Sequence, residues 1–410
     1  MGFKLTKLEK HWILYDVGNS AFTLLITTIM PIYFNSLATA AKLSEVDYLA
    51  YWGYAASIAT LFVAFLGPIL GTVADKKNHK KPLFVACILL GAVGCLVLGL
   101  AKQWLIFLII YVIAKIGYSL SLVLYDSMLG DITEEERMDS VSSQGYAWGY
   151  IGSCIPFVAC LGVVLGADFI GITMSVAMMI AFLIVAVWWI AAAFPLIKNY
   201  KQKHFITDAF EARKNTFLRL GTTLKEIFKN KKVFLFLLAF FFYIDGVYTI
   251  IDMATAYGSS LGLDTTGLLL ALLVTQIVAF PSSIIFGRLA RKVASEKLIT
   301  VCICAYFGIA VFAMFMSSQL HFWILAVCVG MFQGGIQALS RSYFTKIIPA
   351  EKSGEYFGLL DICGKGASFM GTFVVSLIAQ ITGVQNIGVG SLAIFFVVGL
   401  ILFRLSAKKN

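Results

Sequence analysis

Charged side chains are scarce in this chain. Asp, Glu, Lys and Arg make up 13% of it and apolar residues 60%, against about 25% charged in an ordinary soluble domain, which excludes a water-soluble enzyme or binding domain. Histidine is scarcer still: His11, His79, His204 and His321 lie scattered, without the spacing of metal ligands, so no metal is expected. A GxxxxGK[ST] phosphate loop is missing, which removes nucleotide hydrolysis as an energy source. No Ser-His-Asp arrangement is supported by spacing, and neither catalysis nor a cofactor is expected. All eight cysteines (87, 95, 154, 160, 302, 304, 328, 363) fall within apolar runs, where they read as small packing residues and not as a disulfide framework. The first apolar segment exceeds the core of a signal peptide and has no small-residue cleavage site, so it is expected to remain as a span.

Long uncharged runs fill the chain instead. Residues 48–74, 82–101, 140–167 and 169–197 contain no Asp, Glu, Lys or Arg, and each reaches the roughly 20 residues that cross the hydrocarbon of a bilayer. The runs 298–340 and 366–403 are too long for one helix and are broken by "SSQLH" and "TGVQN". With the charged spans included, twelve are expected, near 11–37, 47–74, 82–101, 103–130, 141–167, 170–196, 233–260, 265–290, 298–317, 322–346, 356–381 and 387–405. The fold class is therefore an all-α polytopic membrane protein.

A net charge of +10 raises the question of nucleic acid, and its placement answers against it. Basic residues gather at the N-terminus, in "KKNHKK" at 76–81, in the 198–232 loop, in "RKVASEK" at 291–297 and in the C-terminal tail, all on one side of a twelve-span chain; the opposite loops hold Lys42 and Lys102. The positive-inside rule then places both termini in the cytoplasm, in a multi-pass protein of the cell membrane whose partners are the lipid bilayer and a small-molecule substrate. A monomer is expected.

The loop 198–232, with ten basic and three acidic residues, divides the chain into six-span halves, 1–197 and 233–410. Phe217, Leu220, Leu224, Ile227 and Phe228 recur in it at helical spacing, which reads either as an amphipathic helix on the inner leaflet or as a solvated basic linker. The halves repeat weakly at an offset of 215 to 216 residues: Gly71 and Asp75-Lys76 fall against Gly287 and Arg291-Lys292, and Gly149 against Gly364. Parallel repeats of this kind belong to transporters whose halves rock about a midplane site.

"GPILGTVADKKNHKKP" resembles the loop signature between the second and third spans of the major facilitator superfamily, with Gly71, Asp75 and Lys76 in place. Asn78 stands where a glycine is usual, and Asn tolerates the left-handed turn. The resemblance implies that this loop steadies one of two alternating conformations. More narrowly, "LYDVGNSAF", "FYIDGVYTII" and "GGIQALSRSYFTKIIPAEKSGEYFGLLDICGKGAS" resemble the branch that includes fungal vacuolar amino-acid effluxers and bacterial relatives of unassigned substrate.

Ionisable side chains inside spans are costly and mark pathways or partners. Here they are Asp16, Lys115, Asp126, Asp245, Asp252, Arg341, Asp361 and Lys365. In the family the first, fourth, seventh and tenth spans line the central cavity, so all but the last pair are implied to reach it. Asp361 and Lys365, four residues apart, are spaced to pair on one helix face. Asp16, with Asn19 behind it, is shallow and suited to closing the inner mouth; Asp245, mid-span, to carrying a coupling proton; Arg341 or Lys365 to holding a substrate carboxylate; Lys115, Asp126 and Asp252 to substrate contact or charge pairing. The pattern reads as a secondary transporter using alternating access, moving an amino acid or similar zwitterion, in the efflux direction, with a proton as coupling ion and sodium as the alternative. Two rivals stand beside it: a transporter of lysolipids or amphipathic drugs, consistent with 34 Phe and 12 Met, and a non-transporting sensor that signals through the 198–232 loop.

Overall fold

The computed structural model describes residues 3–208 and 215–408; positions 209–214, inside the expected linker, lie outside the described residues. Among the described residues twelve helices are long and apolar enough to cross a membrane: Lys7–Ala40, Ala50–Ala74, Lys80–Leu98, Trp104–Ser127, Glu135–Leu165, Met174–Asn199, Lys231–Ala254, Leu270–Leu289, Ser295–Ala313, Gln319–Ile347, Ala350–Thr382 and Gln385–Ala407. Because their number is even, the termini and the linker share one face, called here the linker face.

The first and fifth spans begin earlier than the apolar runs do, and charge pairing is the reason. Thr6 caps the first helix reciprocally with Glu9, and Glu9 also accepts from Arg137 at the head of the fifth span at 2.7 Å. Two charges that deny a helix in a hydropathy count thus neutralise each other at the linker face. Within the first span, residues Leu25–Ile29 widen into a π-turn just ahead of Pro31, whose missing N–H breaks the regular ladder.

Packing repeats six spans on. The first span packs on the fifth and sixth, the second on the fourth, and the third on the fourth and sixth; the seventh packs on the eleventh and twelfth, the eighth on the tenth, and the ninth on the tenth and twelfth. Two apolar cores result, one formed by residues between Trp12 and Tyr200 and the other chiefly by residues between Ile227 and Phe403. The halves meet where the second span crosses the eleventh and the fifth crosses the eighth. Glycine permits the first of these crossings: a Cβ on Gly358 would stand 2.6 Å from Pro68 Cα, and one on Gly354 2.7 Å from Gly71 O.

Candidate functional site

Between the halves lies a cavity of about 260 Å³. Tyr118, Leu122 and Asp126 of the fourth span, Tyr146 of the fifth, Phe240, Ile244 and Tyr248 of the seventh, Gln337 and Arg341 of the tenth, and Leu360, Asp361 and Lys365 of the eleventh line it. The seventh span supplies every fourth residue, one helix face.

Arg341 forms the cavity's end toward the linker face and belongs to the second half, but its partners belong to the first. Nη1 donates to Asp126 Oδ1 at 2.8 Å, Nε to Ser142 Oγ at 2.9 Å and Nη2 to the Ser142 carbonyl at 3.1 Å; Nη2 also lies 3.6 Å from Asp16 Oδ2. Its guanidinium is sandwiched between the rings of Trp12 and Tyr146, 4.6 and 4.4 Å from their centroids. A fork used this fully has little left for a substrate carboxylate, so in this conformation Arg341 is a bolt between the halves.

Asp16 is buried beside it, accepting from Tyr125 Oη at 3.1 Å and from Asn19 Nδ2 at 3.4 Å. Asn19 therefore orients Asp16 and does not line the cavity. Asp361 and Lys365 pair at 2.6 Å while lining the cavity wall, each about one-fifth to one-quarter exposed. Lys115, its ammonium 5.7 Å from the centroid of the Tyr111 ring, and the exposed Asp252 are not among the residues that line the cavity.

The structure places Asp245 outside the cavity. It is fully buried between the seventh and eleventh spans, where Oδ1 accepts from Gly371 N at 2.9 Å and Thr249 Oγ1 at 3.2 Å and Oδ2 has no hydrogen-bond partner among the described residues. One residue beyond Ile244, its side chain leaves the cavity stripe by about 100°, which span depth alone does not reveal.

At the linker face the signature loop closes on the eleventh span. Asp75 accepts from Gly354 N and Glu355 N at 2.8 and 2.9 Å, capping that helix where its free N–H groups favour an anion. Lys80 approaches Asp75 at 3.6 Å and donates to Ser353 Oγ at 2.8 Å, while Lys76 begins the turn through its N–H bond to Val73 O. Asn78 takes the left-handed conformation at φ 63°, as its identity allows. On the other flank Asp139 of the fifth span accepts from Ser295, Ser342 and Lys346 of the second half at 2.6 to 2.7 Å. These bonds seal the linker face.

Burial pushes the Asp75 carboxyl up to about 6 from 3.8, against the pull of Lys80 and the two N–H groups. The closed arrangement thus binds a proton more tightly than one with Asp75 in water. Acidification through that range is expected to favour closure, Asp75 alone raising the closed-to-open ratio about tenfold between pH 7.5 and pH 5, and Asp75→Asn should remove that part of the pH dependence. Spin labels on the exposed His79 and Glu351 report the separation; a slope unchanged in the variant would refute the assignment.

Residues 6–410 match the family described as "Vacuole effluxer Atg22 like". The chain belongs to this family. It is 43% identical to the uncharacterized MFS-type transporter YxiO of Bacillus subtilis (strain 168), over 99% of this chain and 96% of that one. It is 20% identical to autophagy-related protein 22 of Coccidioides immitis (strain RS), over 85% of this chain and 71% of that one. In fold it is similar to the transporter FucP in its outward conformation, with a TM-score of 0.76 at 15% identity, 98% of this chain and 97% of that chain being covered. A bacterial homologue of the iron transporter ferroportin in an outward-facing state aligns with a TM-score of 0.72 at 14% identity, over 98% and 99%. The protein is an Atg22-like transporter of the major facilitator type.

In this Atg22-like chain several residues of the site escaped sequence reading. Ser142, Tyr118, Gln337 and Asp139 are uncharged or sit at a span's end, where hydropathy gives no signal. One signal was available: Arg341 stands 215 residues after Asp126, at the repeat offset, so the bolt joins equivalent positions of the two halves.

Proposed function

We propose that this transporter moves an amino acid or similar small zwitterion by alternating access, in the efflux direction, with a proton as coupling ion, and that the linker face is cytoplasmic. The observation that carries the reading is Arg341, one cation of the second half set against two carboxylates of the first at the end of a cavity that also holds Asp361 and Lys365. Charges of both signs around one cavity match the two ends of a zwitterion. The basic residues on the linker face support its orientation by the positive-inside rule.

Charge counting supports the coupling. One guanidinium cannot neutralise both the buried carboxylate of Asp16 and the part-buried one of Asp126, and an uncompensated charge held away from water is costly, so the closed state holds one proton on Asp16 or Asp126. Opening the linker face withdraws Arg341 and admits water, which solvates both carboxylates and lets the proton leave on that side as substrate enters.

Flux in proteoliposomes, with orientation read from the labelling of a cysteine at Asn215, tests this over a panel of amino acids, peptides and lysolipids. Amino-acid flux stimulated by a proton gradient is expected. Flux confined to lysolipids, or binding without flux, would refute the substrate assignment or the transport reading respectively.

A further inference from the structure

We propose that the linker helix docks on anionic lipid headgroups at the linker face and, through Arg219, clamps that face shut. The helix Thr216–Lys229 has two sides with different surroundings. Arg219, Thr223 and Ile227, one turn apart, are buried against the protein, whereas Phe217, Leu224 and Phe228 on the opposite side are 61, 42 and 64% exposed. Large apolar side chains aligned in this way belong at a lipid boundary, and the geometry supplies one. Phe228 packs on Phe234 of the seventh span with ring centroids 5.2 Å apart, so the exposed stripe continues into a helix that enters the hydrocarbon. Lys225 and Lys229 flank the stripe, exposed. Glu226, the acid of the helix, is bonded to Lys352 at 2.7 Å and does not neutralise them. Basic groups beside inserted aromatics match the anionic headgroups of a leaflet.

The buried side reaches the contact between the halves. Arg219 Nη1 donates to the Thr72 carbonyl of the second span at 3.1 Å, and Nη2 to Glu355 Oε2 of the eleventh at 3.3 Å. Glu355 is itself a donor of the Asp75 cap and Thr72 lies three residues before Asp75, and among the described residues Glu355 is fully buried with no hydrogen bond to its other oxygen. Arg219 is thus the cation that Glu355 needs in the closed state, and a helix held on the leaflet holds Arg219 in place.

Amide hydrogen exchange of the whole protein in vesicles tests the proposal without any substrate, and so independently of the transport reading. In phosphatidylcholine mixed with phosphatidylglycerol, exchange of 216–229 and of 353–358 should be at least about fivefold slower than in phosphatidylcholine alone, the scale of one lysine at an anionic surface. Lys225→Gln with Lys229→Gln should erase the difference in both segments. Arg219→Gln should keep it in 216–229 and lose it in 353–358. Equal rates in the two vesicles, a full difference in the double lysine variant, or the same slowing by inorganic phosphate in neutral vesicles would overturn it.

Discussion

Arg341→Gln is expected to move the protein out of its closed state by about two to three orders of magnitude. Removing one partner of a buried ion pair costs about 3–5 kcal/mol because the remaining charge is stranded, and here the carboxylate that does not carry the shared proton is the one left stranded. Asp16 is buried and Asp126 about one-quarter exposed, so water relieves little of that cost until the halves part. Arg341→Lys keeps the charge, yet an ammonium cannot reach Asp126, Asp16 and Ser142 at once or stack between Trp12 and Tyr146; it should lie between parent and Gln. Spin-label separation between His79 and Glu351 measures the shift, and proton-driven flux should fall in step. An unchanged separation in Arg341→Gln would remove the bolt from the mechanism.

Asp126→Asn is expected to uncouple transport. With one carboxylate left, Arg341 neutralises it without a shared proton, so substrate exchange should continue while accumulation driven by a proton gradient falls at least about a hundredfold. Asp245→Asn makes the contrast. Its amide oxygen can still accept from Gly371, and among the described residues it meets no cation whose loss would matter, so accumulation should stay within about threefold of the parent. Counterflow and gradient-driven uptake, compared in the same vesicles, separate exchange from coupling. The reverse pattern, with Asp245→Asn uncoupled and Asp126→Asn coupled, would move the proton site to the seventh and eleventh spans.

Twelve spans, the shared side of the basic loops, the six-plus-six repeat and the short list of ionisable residues all follow from the sequence, because hydrocarbon thickness fixes the length of a span and burial makes every charge inside it conspicuous. Asn78 in a left-handed turn was legible for a similar reason: few residues tolerate that backbone. Partners were another matter. Asp16 and Arg341 are far apart in the chain, and only the closing of one half on the other sets a guanidinium between two carboxylates and Ser142. Asp245 looked like the best-placed carboxylate by depth, yet depth says nothing of which way a helix faces, and a rotation of one residue turned it from the cavity to Gly371. The linker helix divided along the same line. Its periodicity was visible in the sequence, but that one basic residue of it, Arg219, lies buried between Thr72 and Glu355 was decided by tertiary packing, since a charge enters such a place only when an acid there awaits it.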